Sequence, residues 1–419
     1  MKYSVITFGC RVNQADSLGF EEELRAAGAV DSPPDEADLV VVNTCSVTAT
    51  ADQGARQTIR RVARDNPSAK IVVTGCYATR RPDEIAALPN VVRVVKNDDK
   101  PRLVPLQLLT NVDAESADGR DGDGPCGAAI EPGVMGRTAY TLRVQTGCAE
   151  QCSYCIIPTT RGLPRSVAIE RVLREVDRVV AAGFKEIALT GVHLGSFGRD
   201  LEPGSSLIEL LRAVDRGDDV LFRISSLEPM DCTPEIVDLV AQSGRFAPHF
   251  HLPLQHASNR LLASMRRPYT IEYFAALVDD IRSRIPHASI GTDVIVGFPG
   301  ERDDDVEALT SYLEHSPLTH VHVFPYSDRP GTVASKLPSK VPGAAIRERG
   351  ARVRDIARGL STRFRASQVG TEHRALTLED GSLAVTGNYL KVRIPPGRAR
   401  NEWVAVRIGS DDPLTAEFV

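Results

Sequence analysis

Cys148, Cys152 and Cys155 fall within one short run, Gly147-Cys148-Ala149-Glu150-Gln151-Cys152-Ser153-Tyr154-Cys155. A loop this dense in thiols has few ways to fold other than around one inorganic centre. Three thiolates can hold three corners of an iron–sulfur cube and leave the fourth iron open to a small molecule. A fully ligated electron-transfer cluster has no such position. A structural zinc knot short of its fourth ligand is the other reading of the spacing.

The first hundred residues place three more cysteines beyond strand-like apolar runs. Val5-Ile6-Thr7-Phe8 precedes Gly9-Cys10, Leu39-Val40-Val41-Val42 precedes Asn43-Thr44-Cys45, and Ile71-Val72-Val73 precedes Thr74-Gly75-Cys76. Between the runs, apolar spacing and candidate N-caps predict helices over 17–27 and 50–64. A βαβαβ order implies a parallel sheet with right-handed crossovers, and ligands collect at the carboxyl ends of such strands. Cys10, Cys45 and Cys76 are therefore expected to face one crevice. Gly9 and Gly75 are expected to let the backbone approach a bulky cluster. Three unrelated core cysteines, or a catalytic zinc with an open position, fit the same residues.

From residue 140 onward the alternation resumes. Strands are expected at 140–145, 186–190, 220–225, 249–253, 289–296 and 320–324, with helices at 169–182, 207–215, 234–243, 271–284 and 303–315. Six βα units make an open, partial (β/α)6 barrel with its chemistry at the carboxyl ends of the strands. The Cys148 triplet follows the first of these strands. Gly191, Ser225, Gln255 and Asp293 sit at or near later strand ends, where they offer close backbone approach or hydrogen bonds to a small ligand, or serve as ordinary turn chemistry. His193 and His256 are read as hydrogen-bonding residues rather than bases. Cys232 is read as structural.

A helix expected at 344–364 carries Arg349 and Arg352 among six arginines, against only Glu348 and Asp355. It is either a solvated face or a contact for RNA phosphates. Short runs at 374–378, 383–386, 389–394, 403–408 and 414–418, separated by turn residues, predict a small antiparallel barrel. Its nucleic-acid face would hold Tyr389, Lys391, Arg393, Arg398 and Arg400, combining stacking with phosphate contacts. The expected organisation is α/β: a parallel-sheet domain at 1–105, a linker at 106–136, the partial barrel at 137–365 and the β-barrel at 366–419. The linker holds Cys126, read as an unpartnered thiol.

With 42% hydrophobic and 25% charged residues the chain has the composition of an ordinary globular protein. Its net charge of −5 excludes a surface that attracts polyanions everywhere, so any nucleic-acid contact must be local. No apolar run approaches a membrane span, and the first residues do not read as an export signal. Eight cysteines in a chain this long, several of them in metal-like contexts, point to a reducing compartment, so the expected location is cytoplasmic.

The Cys-x3-Cys-x2-Cys triplet resembles that of the radical S-adenosylmethionine (SAM) enzymes. Phe8-Gly9-Cys10-Arg11-Val12-Asn13-Gln14, Asn43-Thr44-Cys45 and Thr74-Gly75-Cys76 resemble the N-terminal domain of the methylthiotransferases. The C-terminal barrel is similar to a short RNA-binding TRAM domain. The resemblance implies two [4Fe-4S] clusters, one on Cys10, Cys45 and Cys76 and one, binding SAM, on Cys148, Cys152 and Cys155. It also implies that Tyr154 lies near the adenine of SAM, although by its chemistry alone the ring can equally pack against the cluster. The implied reaction inserts a methylthio group at C2 of a modified adenosine in a tRNA anticodon loop, with a reducing electron donor and a sulfur source as partners. Arg11-Val12-Asn13-Gln14, the run from Glu186 to Gly198 and the brief last domain most resemble the branch acting on N6-threonylcarbamoyladenosine-37. Isopentenyladenosine-37 and a ribosomal-protein aspartate are the targets of other branches. A non-catalytic iron–sulfur RNA-binding or carrier protein is the reading from outside the enzymes.

Overall fold

Strand alternation decides the N-terminal domain, because successive side chains point to opposite faces of a sheet. In the computed structural model, which describes residues 1–103, 130–133, 137–217 and 219–419, every residue of Leu39–Thr44 is buried. Val40 and Val42 join Ile59 and Val62 of the helix Ala49–Asp65 in one core, whereas Leu39 and Val41 join Phe20 and Leu24 of the helix Arg11–Ala26 in another. The strands β1 (Lys2–Thr7), β2 (Val30–Asp31), β3 (Leu39–Thr44), β4 (Lys70–Gly75) and β5 (Val91–Val95) form a parallel sheet in the order β2-β1-β3-β4-β5. Neither β2 nor β5 was expected from the sequence.

The first helix starts at Arg11, with Cys10 as its N-cap, rather than at residue 17. Its opening turns escape the apolar pattern because they bury polar groups. Asn13 Nδ2 donates to Phe8 O (2.8 Å) and Thr44 O (3.0 Å), while Asn43 Nδ2 donates to Asn13 O (2.9 Å) and Ser17 Oγ (3.0 Å).

The central domain is built from β6 (Tyr140–Arg143), a small antiparallel pair of β7 (Gln145–Thr146) with β8 (Arg165–Ser166), and then β9 (Glu186–Thr190), β10 (Leu221–Ile224), β11 (His249–His251), β12 (Ser289–Val296) and β13 (His320–Pro325). Two parallel trios, β6-β9-β10 and β11-β12-β13, meet through a bridge between Phe222 and Phe246, just before β11. Among the described residues no pairing closes β13 onto β6. The result is the expected three-quarter barrel, with helices packed outside its sheet.

The helix Gly343–Gln368 contributes Val353, Ala357 and Leu360 to the barrel core. It leads into a closed barrel of β14 (Glu372–Leu378), β15 (Leu383–Thr386), β16 (Lys391–Arg393), β17 (Trp403–Asp411) and β18 (Leu414–Phe418), in the order β14-β15-β16-β18-β17. This is the expected small antiparallel barrel with one exception, since β16 and β18 run parallel. The reason is topological. A closed ring with an odd number of strands cannot alternate direction all the way round.

Buried charge joins the first domain to the barrel. Asp16 accepts from Lys100 (2.5 Å), Arg143 (2.7 Å) and Arg161 (3.2 Å), and Asp52 from Arg80 (2.5 Å) and Arg329 (2.6 Å). Such groups are costly to desolvate, but removing one partner strands the others in the interior. The expected linker falls largely on residues 104–129 and 134–136, which lie outside the described residues, as does Cys126. No described helix is long and apolar enough to cross a membrane.

Candidate active site

The sheet places Cys10, Cys45 and Cys76 just beyond β1, β3 and β4, as expected. Cys10 is exposed and the other two are buried; all three are free thiols close enough to influence one another electrostatically. Gly9 and Gly75 have φ of +91° and +97°, and the neighbouring strand ends leave no room for a side chain at either. A Cβ on Gly9 would lie 2.7 Å from Cys45 Sγ, and one on Gly75 would lie 2.2 Å from Thr44 O. These glycines let the strand ends crowd together, and so bring the cysteines into register with each other.

Cys148, Cys152 and Cys155 occupy the loop after β7, and donors reach each sulfur. Glu150 N lies 3.4 Å from Cys148 Sγ, Arg267 Nη1 lies 3.2 Å from Cys152 Sγ, and Ile157 N lies 3.5 Å from Cys155 Sγ. His193 stands close enough to Cys148 to influence it electrostatically, while its Nε2 meets Asp231 Oδ2 at 2.9 Å. Burial pushes the thiol of Cys155 up to about 12 and that of Cys45 up to about 11. A cationic centre between them would stabilise thiolates at these positions. The ring of donors around the second triplet suits the sulfurs of an iron–sulfur cluster, so the residues present fit the group.

A five-residue helix, Ile157–Arg161, stands between the two triplets. At its start, Ile157 N points to Cys155. At its end, Arg161 is buried against Asn13, Asp16 and Cys76 in the first domain. Asn97 Nδ2 ties the same helix down by donating to Thr160 O (2.7 Å), and it lies 3.7 Å from Cys76 Sγ.

Both halves open on a cavity of about 1160 Å³, lined by Cys10 and Arg11 on one side and by Ile157, Gly191 and Ser225 on the other. Ser225 Oγ is buried without a hydrogen-bond partner among the described residues, which marks a place for a polar ligand. Asp293 sits in β12, its carboxylate 3.1 Å from both His251 Nε2 and His322 Nδ1. Burial pushes its carboxyl up, but the two imidazoles outweigh that and hold it down at about 2. Gln255 is held at φ +68°, its backbone N–H donating to Asp293 O (2.8 Å). The ring of Tyr154 packs edge-on against Phe298 (6.5 Å) beside Leu261 and Met265.

Four inward histidines, His249 and His251 on β11 and His320 and His322 on β13, were missed in the sequence. Their signal was available: His-Phe-His and His-Val-His each put two imidazoles on one face of a strand. His193 and His256 do hydrogen-bond, His256 Nδ1 accepting from Ser258 N at 3.0 Å, and Cys232 is part of the barrel core.

The basic residues divide. Arg349 is engaged with Glu301 (2.8 Å) and Asp303 (2.7 Å), and Arg352 with Glu307 (2.8 Å), so neither reaches a phosphate without giving up an acid. Glu301 also accepts from Gly297 N (2.8 Å), so Arg349 braces the turn after β12. Lys391 makes an exposed pair with Glu379 (2.8 Å), while Arg393 is exposed on the neighbouring ridge. Tyr389 stays half exposed at the cavity edge with its ring against His249 (4.8 Å between rings), and Arg400 donates to Glu379 O and Gly133 O.

Comparison with known proteins fits this division of the chain. Residues 2–96 match the uncharacterized protein family UPF0004, and residues 142–313 match the radical SAM superfamily. A threonylcarbamoyladenosine tRNA methylthiotransferase MtaB from Aquifex aeolicus is 37% identical over 94% of this chain and 96% of its own length. A tRNA-2-methylthio-N(6)-dimethylallyladenosine synthase from Carboxydothermus hydrogenoformans is 31% identical over 98% of this chain and 94% of its own. Among solved structures, the radical S-adenosylmethionine methyltransferase TsrM from Kitasatospora setae, with cobalamin and a [4Fe-4S] cluster bound, shares the fold: the TM-score is 0.55 at 17% identity, over 80% of this chain and 76% of that one. The chain belongs to the radical SAM methylthiotransferase family, on the MtaB branch.

Proposed function

We propose that this chain inserts a methylthio group at C2 of N6-threonylcarbamoyladenosine-37 in the anticodon loop of tRNA. The reading rests above all on one observation: two sets of three free cysteines are joined by a single short helix whose ends, with Cys10, line one cavity, in a chain that matches MtaB relatives over nearly its whole length. Enzymes of this family use SAM and two [4Fe-4S] clusters. Cys148, Cys152 and Cys155 would hold one cluster, and Cys10, Cys45 and Cys76 the other. When bound, these groups supply the radical that removes hydrogen from C2 and the sulfur that replaces it, chemistry beyond any side chain.

The chain's own residues bind and orient. Glu150 N, Ile157 N, Arg267 and His193 direct positive charge or N–H dipoles at the second triplet. Ser225, Gly191, Gln255 and Asp293 line or brace the strand ends on which SAM would lie, and Tyr154 braces the cluster loop from its apolar side. Anticodon bases are unpaired, so the target base can enter the cavity without being flipped from a duplex. Arg393 contributes phosphate contacts from the last barrel, joined by Lys391 only where it gives up Glu379. A reducing electron donor and a sulfur source act with the enzyme, in the cytoplasm.

The test is anaerobic reconstitution with iron, sulfide, SAM and dithionite, followed by nucleoside mass spectrometry of threonylcarbamoylated tRNA. Formation of the 2-methylthio nucleoside together with 5′-deoxyadenosine is expected. Modification of isopentenyladenosine or of a ribosomal aspartate instead would overturn the substrate, and absence of 5′-deoxyadenosine would point to a carrier.

A further inference from the structure

Resting on that substrate reading, we propose that Arg11 is the carboxylate-binding residue of the cavity and pairs with the acid at the end of the threonylcarbamoyl group. The cavity wall contains Arg11, Arg161, Arg354, Arg358, Arg365 and Lys391, and among the described residues not one aspartate or glutamate. Such a wall is built for an anion, and the six cations are not equivalent. Arg161 is committed to Asp16, Arg358 to Asp355 and Lys391 to Glu379. Arg354 and Arg365 stand on the helix Gly343–Gln368, away in sequence from either triplet. Arg11 is covalently next to Cys10.

That adjacency decides the choice. On a purine, C2 and the N6 substituent flank N1 along one edge. A base whose C2 meets the sulfur centre therefore presents its N6 substituent within a side chain's length of it.

Arg11 is also aimed without being neutralised. Its one described hydrogen bond, from Nη2 at 3.3 Å, goes to the uncharged Tyr389 hydroxyl. Tyr389 is firmly held. Its backbone has φ +69°, its ring lies against His249, and the guanidinium of Arg223 covers it at 4.6 Å. Arg223 is itself fully buried, paired with Glu186 (3.0 Å) and donating to Gly387 O (3.1 Å). The first domain, the barrel and the last barrel thus combine to fix one guanidinium with donors to spare, the geometry suited to bidentate binding of a carboxylate. An apolar isopentenyl group would leave this cation without a partner, so the same residue discriminates between the two modified adenosines.

The test uses reconstituted holoenzyme and three synthetic anticodon stem-loops. One carries N6-threonylcarbamoyladenosine, the second its neutral methyl ester, and the third N6-isopentenyladenosine. KM and kcat for methylthiolation are measured for wild type, Arg11→Met and Arg11→Lys. Equilibrium binding at two salt concentrations and iron content are measured alongside.

Arg11→Met is expected to raise KM and Kd for the acid by on the order of 10- to 100-fold, with kcat within a few-fold. Wild type is expected to bind the ester as weakly as Arg11→Met binds the acid, the ester is expected to lose little more in the variant, and Arg11→Lys to recover part of the loss. Equal weakening of acid and ester would assign Arg11 to backbone phosphate and overturn the proposal, as would no change in either. If Arg11→Met loses iron, the wild-type comparison of acid with ester decides alone. Turnover of the acid with indifference to esterification sinks this inference only; turnover of the isopentenyl RNA alone sinks the substrate reading with it.

Discussion

The two cysteine sets reach the same arrangement by opposite routes. Cys148, Cys152 and Cys155 share one loop and draw two sulfur donors from its own backbone, Glu150 N and Ile157 N. Cys10, Cys45 and Cys76 share nothing in sequence and are neighbours only because β1, β3 and β4 are. A local loop can present its sulfurs with modest help from the rest of the chain. The scattered set exists only while a parallel sheet, its crowded glycines and its buried asparagine knot are intact.

The largest effects should separate the two centres. Cys148→Ala is expected to abolish 5′-deoxyadenosine release, whereas Cys45→Ala should retain it and form no methylthiolated RNA. In each variant iron should fall from about eight to about four per chain. Loss of all iron in either variant would break the comparison, because the centres would then not be separate.

Next in size is the buried seam. Asp16→Asn leaves Lys100, Arg143 and Arg161 without their shared acid, at a cost of about 3–5 kcal/mol. Urea denaturation and iron analysis should show the scattered centre emptying before the compact one. A smaller version of the same contrast is Asn13→Ala, which removes the donor to Phe8 O and Thr44 O. About 1–3 kcal/mol is expected, again at the expense of the first domain.

The smallest effects concern side chains whose part is played by backbone or solvent. Glu150→Ala should change stability and iron content little, within about 0.5 kcal/mol, because the amide and not the carboxylate faces Cys148. Arg352→Gln gives up an exposed pair with Glu307 and should cost about 0–1 kcal/mol. If this variant also binds tRNA with unchanged affinity and salt dependence, the long helix serves packing at that position rather than RNA.

What could be read from the chain follows from the same contrast. Strand-sized apolar runs, helical periodicity and close cysteine spacing are local signals, and they located both triplets, the three-quarter barrel and the final five strands. The polar seam was not legible, because Asp16, Lys100, Arg143 and Arg161 meet across long separations and break the apolar pattern that marks helices. This is why the first helix was placed six residues too late. The strand Val91–Val95 was missed because it follows a short helix, Pro82–Ala86, with little periodicity of its own. Arg349 was assigned an outward role from residue type alone, whereas Glu301, distant in sequence, draws it inward.

The short helix from Ile157 to Arg161 has a consequence for how the reaction is organised in space. Many enzymes with two chemical stations move the intermediate between them on a flexible arm. Here the residue closing the loop around one station is anchored by salt bridge in the wall of the other, and the intervening turn is pinned at Thr160. The stations are bolted together at a set spacing. Under the proposed reaction, the movement would then come from the nucleobase, brought in on its own single-stranded loop.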